Sequence, residues 1–267
     1  MTPKDRVSVA GWDQYTQDMH GCKVFSKIDL KSSYHQIPLC KESQRKTAFS
    51  IGTRRFMFRT VPQGLSNSPA TLQRLLNMVL SGVKNCLHYM DDLLISTKTN
   101  EEHEEVLSEV FRRLADAKLQ IALDKCTFFS RSATFLGFIV SKHGVAPDPR
   151  KTEALMRLEP PQTLEGVRSC LGQFNVFRRH IQGYAEISRP ISEVTKGFPV
   201  KRGRNVKINW TPEADAALEI LKRACVQNVM LVFPKFADPF HVHTDASLKA
   251  IGAVVSQEVL DEDTGQK

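Results

Sequence analysis

Cysteine is scarce and scattered in this chain: six residues, at 22, 40, 86, 126, 170 and 225, with no Cys-x-x-Cys among them. That spacing argues against a zinc site or a disulfide framework and fits a reducing compartment. Long apolar runs are missing too. None approaches the roughly 20 residues that a membrane span requires, and the opening Met1-Thr-Pro-Lys-Asp-Arg is polar, unlike a secretion signal. The expectation is an intracellular protein, cytoplasmic or nuclear, with no membrane partner. Acidic charge is in short supply, with Asp and Glu numbering 29 against 37 Lys and Arg, a formal net charge of +8. A basic balance favours a polyanionic partner, although many basic proteins have no dealings with nucleic acid. Disorder is excluded by a composition that is 41% hydrophobic and 25% charged. At 267 residues the chain holds one large domain or two modest ones.

What the chain does have is concentrated in Cys86-Leu87-His88-Tyr89-Met90-Asp91-Asp92-Leu93-Leu94-Ile95-Ser96. Apolar residues flank two adjacent carboxylates, with no Gly or Pro to open a loop. The pattern predicts a tight β-hairpin: strand Cys86–Tyr89, a turn at Met90-Asp91, and a return strand Leu93–Ser96. Carboxylates at such a tip are costly to bury alone, and divalent cations with oxygen ligands relieve that cost. For the pair alone, an acidic turn that is merely solvated is the commoner explanation. A third acid shifts the balance. Val24-Phe25-Ser26-Lys27-Ile28-Asp29-Leu30 reads as a short strand ending at Asp29. Placed beside the hairpin, it lets Asp29 and Asp91 converge on two ions about 3.5–4 Å apart, an arrangement suited to in-line phosphoryl displacement.

Three motifs in order now resemble a family. Tyr89-Met90-Asp91-Asp92 on a hairpin, Asp29-Leu-Lys-Ser-Ser-Tyr34-His-Gln-Ile-Pro-Leu upstream, and Val61-Pro62-Gln63-Gly64-Leu65-Ser66-Asn67-Ser68-Pro69-Ala70 between them resemble the palm of a reverse transcriptase. The likeness is to the pol polyprotein of gypsy-like LTR retrotransposons, relatives of retroviruses, and it covers nearly the whole chain. It implies an α+β fold: a palm of antiparallel sheet with helices on one face, then a helical thumb, a connection and the start of a ribonuclease H-like domain. It also implies RNA-directed DNA polymerisation on an RNA/DNA template–primer with dNTPs. Two Mg²⁺, or Mn²⁺ in their place, would be held by Asp29, Asp91 and Asp92. One ion would activate the primer 3′-hydroxyl and the other would bind the triphosphate and the leaving oxygen. Leu30, Ser32 and Ser33 would offer backbone groups to metal and phosphates. Tyr34 would lie beneath the sugar and exclude a 2′-hydroxyl. Gln63 and Gly64 would line the nucleotide site, and Met90 would touch the sugar or the primer end.

The same resemblance divides the chain into palm with residual fingers (1–146), thumb (147–200), connection (201–239) and ribonuclease H-like start (240–267). A short helix is expected around Trp12–Met19. Only 28 residues precede Asp29, so most of the fingers, with the cations that grip the triphosphate, are expected to be missing. Thr47–Ile51 and Arg55–Thr60 flank Gly52-Thr53 as a hairpin, and the charges of Gln44-Arg45-Lys46 suit either a solvated edge or a template contact. Ser68-Pro69 is expected to cap a helix whose stripe is Leu72, Leu75, Leu76, Val79 and Leu80. Thr99-Asn100 opens a second helix, Glu101–Ala117, with strands following near Ile121–Phe129 and Thr134–Val140. Lys125 falls near the place where polymerases keep a cation that can protonate the leaving pyrophosphate, though a surface lysine is the default.

Phe135, Leu136 and Gly137, continuing to Phe138, resemble the primer grip; a buried strand with Gly at a bulge accounts for them equally. Helices are expected at Arg150–Leu158 and Thr163–His180, the second with a basic side of Arg168, Arg178, Arg179 and His180 suited to duplex phosphates. An amphipathic helix with solvated arginines is the plainer alternative. Lys196 to Lys207 reads as a Gly-rich basic linker. Trp210-Thr211-Pro212 starts a helix, and the stretch from Phe240 through Asp245 to Ser247 resembles the first ribonuclease H strand, with Asp245 as an orphan carboxylate and no ribonuclease activity expected. Two rivals stand beside the polymerase: a truncated nucleic-acid-binding remnant, and an RNA-dependent RNA polymerase. Tyr89-Met90 and Asp245-Ala-Ser disfavour the latter, which typically has Gly before its paired acids.

Overall fold

The computed structural model of the chain describes residues 5, 7, 19–198, 206–227, 230–246 and 251–258. The helix expected around Trp12–Met19 and most of the Lys196–Lys207 linker lie outside them. The order begins with β1 (Val24–Asp29), a single 3-10 turn (Ser33–Gln36), α1 (Lys41–Lys46), the hairpin β2 (Phe49–Ile51) and β3 (Arg54–Phe56), and α2 (Ser68–Val79). The acidic hairpin follows as β4 (Cys86–Tyr89) and β5 (Asp92–Thr97), then α3 (Asn100–Asp116), β6 (Thr127–Ser130), β7 (Ser132–Phe135), β8 (Phe138–Ser141) and β9 (Gly144–Pro147). Beyond them come α4 (Pro149–Met156), α5 (Leu164–Val176), α6 (Tyr184–Glu193), α7 (Pro212–Val226) and a last hairpin, β10 (His241–Ala246) and β11 (Ile251–Ser256). Among the described residues no helix is long and apolar enough to cross a membrane.

Four strands in the order β4-β5-β1-β6 make the central antiparallel sheet. Its middle pair runs in strict register from Val24 opposite Thr97 to Asp29 opposite Asp92. Because side chains alternate across a strand, the apolar run of β5 serves two layers at once. Leu93 and Ile95 join Leu72 and Leu76 of α2 and Leu107 and Val110 of α3 on one face. Leu94 and Phe25 point to the other face and pack with Phe135, Phe174 and Leu218. That second cluster runs without a break from β1 through the β7-β8-β9 sheet into α5 and α7. Burial at this level, worth about 1.5–3 kcal/mol for each large side chain, fixes the sheet between two layers.

Helix starts follow simple chemistry. The hydroxyls of Thr99, Thr163 and Thr211 accept the N–H groups of Glu102, Gly166 and Ala214 at 3.2, 3.1 and 3.2 Å, and the carboxylate of Asp148 accepts that of Arg150 at 3.0 Å. Ser68 departs from its expected capping role. Asn67 occupies the cap position, and the Ser68 hydroxyl donates to the Pro62 carbonyl at 2.8 Å, tying the loop before α2 to its first turn.

Two further expectations need correction. Phe135-Leu136-Gly137-Phe138 is no bulged strand but a two-residue hairpin turn, with Phe135 paired to Phe138 and φ of 53° at Leu136 and 87° at Gly137. Positive φ at both turn residues is the I′ geometry that matches strand twist. Likewise α5 stops at Val176, and a 3-10 turn, Arg178–His180, continues the chain. His180 is buried there, its ring stacked on Phe138 with centroids 5.3 Å apart, so it leaves the basic side to the arginines.

A buried polar cluster spans the sheet behind the acids. His103 of α3, fully buried, contacts Ser26 Oγ at 2.6 Å through Nε2 and Thr97 Oγ1 at 2.8 Å through Nδ1. The Thr97 hydroxyl donates onward to the Thr99 carbonyl at 3.1 Å, so it must accept from Nδ1–H. Nε2 is then the acceptor for the Ser26 hydroxyl, whose oxygen also takes the Phe129 N–H at 3.0 Å. One proton arrangement satisfies every group. Burial holds the ring neutral by pushing its pKa down.

Candidate active site

Three acids meet at one end of the central sheet. Asp29 ends β1 directly opposite Asp92, which begins β5, and the Met90-Asp91 turn connects β4 to β5 beside them. The backbone locks this end: Leu30 N–H donates to the Asp91 carbonyl at 3.3 Å, and the Asp29 carbonyl accepts from Ala122 at 2.9 Å. The predicted hairpin is therefore present with its two-residue turn, and Asp29 is brought to its flank. Met90 holds φ at 57°, uncommon for a side chain other than Gly, Asn or Asp.

The electrostatics record crowding. Burial raises the Asp29 carboxyl pKa first; the charges of Asp91 and Asp92 raise it further, while Lys125 and Lys27 pull it down. Lys27 Nζ lies 3.0 Å from Asp92 Oδ1, and Lys125 Nζ lies 3.9 Å from Asp29 Oδ1. The Lys27–Asp92 pair was not expected from sequence. Among the described residues no three His, Cys, Asp or Glu side chains are drawn closely enough together to cage a metal ion. In donor type the three carboxylates fit hard divalent cations, which take oxygen ligands.

The other expected residues fall around this cluster to different degrees. Tyr34 is half-buried, its hydroxyl 3.8 Å from Met90 Sδ, and burial and then the Asp91 charge push its pKa up. Ser32 is exposed in a left-handed conformation, whereas Ser33 is buried. Leu30 is also buried and its amide is engaged. Gln63 and Gly64 are exposed on the loop before α2, and Gly64, at φ +87°, has open space where a Cβ would sit. Of the primer-grip motif, Phe135 is a core side chain, and the half-buried Leu136-Gly137 turn is the accessible part. Arg178 and Arg179 are exposed. Asp245 lies on β10 opposite Gly252, on the separate two-stranded sheet.

A second residue escaped the sequence reading. Gln73, 3% exposed within the apolar stripe of α2, accepts the Met90 N–H at 2.9 Å. Its neighbours in sequence, Leu72 and Leu76, conceal it. A polar residue inside an otherwise apolar helical stripe was the available signal.

Comparison with known proteins fits this geometry. Residues 2–140 match the family described as reverse transcriptase (RNA-dependent DNA polymerase), and residues 210–265 match an RNase H-like domain found in reverse transcriptase. The Pol polyproteins of transposons 297 and gypsy from Drosophila melanogaster are 36% and 34% identical over 96% of this chain, which spans 24% and 26% of their lengths. The transposon Tf2-3 polyprotein of Schizosaccharomyces pombe is 31% identical over 94% of the chain, itself 18% of that polyprotein. The chain thus spans about a quarter or less of the curated relatives it matches. Among solved structures, a foamy viral protease-reverse transcriptase in complex with ds DNA superposes with a TM-score of 0.81 at 26% identity, covering 99% of this chain and 45% of that one. A foamy viral protease-reverse transcriptase in complex with RNA/DNA hybrid gives 0.77 at 26% identity, covering 96% and 36%. A family match over the segment that carries Asp29, Gln63, Asp91 and Asp92 makes this chain a member of the reverse transcriptase (RNA-dependent DNA polymerase) family.

Proposed function

We propose that this chain carries the polymerase site of an RNA-directed DNA polymerase, which joins a deoxynucleotide to a primer 3′-hydroxyl opposite a template base. The observation that carries the reading is the meeting of Asp29, Asp91 and Asp92 at one end of a single antiparallel sheet. In the reaction the primer 3′-hydroxyl gives up its proton to water, its oxygen bonds to the α-phosphorus, the α–β phosphoanhydride bond breaks, and pyrophosphate leaves with the electron pair. Asp29, Asp91 and Asp92 would hold two Mg²⁺ or Mn²⁺ ions, which supply charge neutralisation and make the attacking hydroxyl more acidic.

The chain's own residues do the rest. The Tyr34 ring, set against Met90 beside the acids, blocks space that a ribose 2′-hydroxyl would need. The exposed Gln63-Gly64 loop offers a side-chain amide and close backbone approach to the incoming nucleotide. Ser32 and Ser33 lie on the first turn after Asp29, within the chain segment from which backbone N–H groups can meet phosphates. The Leu136-Gly137 turn supports the primer strand, and Arg178 and Arg179 meet its duplex phosphates. Those assignments keep the division into palm (1–146), thumb (147–200), connection (201–239) and ribonuclease H-like segment (240–267).

The test is primer extension on an RNA template with Mg²⁺ and dNTPs, comparing the chain with its Asp91→Asn variant. Extension that disappears in the variant supports the reading. Salt-sensitive binding of template–primer by both, with extension by neither, would replace the polymerase with a nucleic-acid-binding role.

A further inference from the structure

The turn that carries Asp91 is held from outside its own hairpin. Its only residue with a positive φ, Met90, donates its backbone N–H to Gln73 Oε1 at 2.9 Å. Gln73 in turn donates from Nε2 to Asn77 Oδ1 at 3.1 Å, one helical turn along α2. His88 Nε2 reaches that same oxygen at 2.8 Å. Asn77 Oδ1 is an acceptor, so His88 is its donor, with the proton on Nε2. The chain of side chains is therefore closed: it leaves the turn at Met90, runs along α2, and returns to β4 two residues before Met90. Gln73 is 3% exposed, so its amide has no water to fall back on and its orientation is set by these partners.

We propose that Gln73, set by Asn77 and His88, is a positioning residue that fixes the Met90-Asp91 turn and with it the carboxylates of Asp91 and Asp92. The catalytic part of this inference rests on the polymerase reading; the bracing part does not. A left-handed non-glycine turn has lower-strain alternatives, and a change of turn conformation at Met90 re-aims the adjoining Asp91. Misplacement of a reacting group by about 1 Å costs on the order of 10²-fold in rate. A glutamine that merely satisfied its own buried amide would leave the turn unchanged when replaced by an apolar residue of similar shape.

The experiment compares wild type with Gln73→Met, which keeps shape and removes the acceptor, and Gln73→Glu, which restores an acceptor for Met90 N–H. The glutamate variant needs an Asn77 amide flip and the other His88 tautomer, both accessible. Hydrogen exchange of a peptide covering residues 86–96, Mn²⁺ affinity, thermal midpoint, and the kcat and KM of primer extension are measured. Gln73→Met is expected to speed exchange in the hairpin at least tenfold and weaken Mn²⁺ binding several-fold. It should lower kcat roughly 10- to 100-fold with dNTP KM nearly unchanged, and Gln73→Glu should recover protection and most of kcat. Wild-type exchange and Mn²⁺ affinity in Gln73→Met would overturn the brace. So would a general loss of thermal stability that Gln73→Glu fails to reverse. If wild type extends no primer, the polymerase reading fails by itself, while exchange and Mn²⁺ affinity still decide the brace.

Discussion

Replacing Lys27 with methionine removes an ammonium group 3.0 Å from Asp92 Oδ1, in a pair whose side chains are 25% and 27% exposed. Such a contact lies between a fully exposed ion pair, about 0.2–1 kcal/mol, and a hydrogen bond to a charged group, about 1.5–3 kcal/mol. A value of about 1 kcal/mol is therefore expected, lost from stability when divalent cations are absent. The same quantity acts with opposite sign on metal binding. A cation that uses Asp92 must compete with the ammonium, and 1 kcal/mol is about fivefold in an equilibrium constant. Lys27→Met should bind Mn²⁺ about fivefold more tightly than wild type while unfolding at lower urea in chelator; Lys27→Arg, which keeps the charge, should stay near wild type in both. Calorimetric Mn²⁺ titration at low ionic strength and urea unfolding in EDTA read the two effects. Equal or weaker Mn²⁺ binding by Lys27→Met would refute the argument, because it would mean the lysine assists the ion rather than competing with it.

Asp29 yields a related expectation. Its folded pKa lies above its unfolded value, mainly through burial, so the ionised group costs stability as pH rises past the unfolded pKa of about 4. Asp29→Asn should raise the thermal midpoint at pH 7 in chelator while abolishing primer extension; a fall in midpoint would contradict the assigned cause. His103 has the opposite sense, a base with a depressed pKa. The stability it protects is complete above its unfolded pKa of about 6.5 and drains away as pH falls below that. His103→Ala should cost about 3 kcal/mol by urea unfolding, from the cavity and two lost hydrogen bonds, and should flatten the pH dependence between pH 7.5 and 5.5. An unchanged slope would remove His103 as its source. Arg178→Ala and Arg179→Ala should each weaken template–primer binding and reduce the slope of log affinity against log salt by about 1; an unaltered slope would detach these arginines from the duplex.

The central sheet and its acids were legible because β5 is a run of apolar residues long enough to serve two layers, and because nothing but a tight turn connects Tyr89 to Asp92. The helix starts at Thr99, Thr163 and Thr211 were legible for the reason that their hydroxyls have no better local use. Ser68 failed the same rule because the Pro62 carbonyl, six residues back in the loop before α2, lay within reach of its side chain. The turn at Leu136-Gly137 was hidden by Leu136, a residue that propensity keeps out of positive φ. His180 was misplaced because periodicity extended α5 past the point where Phe177 turns inward. Lys27 and Gln73 were missed for a common reason: each has one partner, Asp92 or Met90, that only folding brings near. Local pattern identifies elements well. It does not identify who holds whom across them.

The Ser26–His103–Thr97 cluster has a consequence for how errors in assembly are rejected. Ser26 and Thr97 belong to β1 and β5, the strands whose pairing puts Asp29 across from Asp92. A slip of one residue between those strands would turn alternate side chains to the opposite face, withdrawing the Ser26 hydroxyl from the imidazole and leaving buried polar groups unpaired. A sheet misaligned by one residue therefore carries a penalty at a point three residues from Asp29, before substrate or ion is ever met. The imidazole acts as a checkpoint on alignment: a chain that folds stably has, by the same hydrogen bonds, its carboxylates at the correct ends.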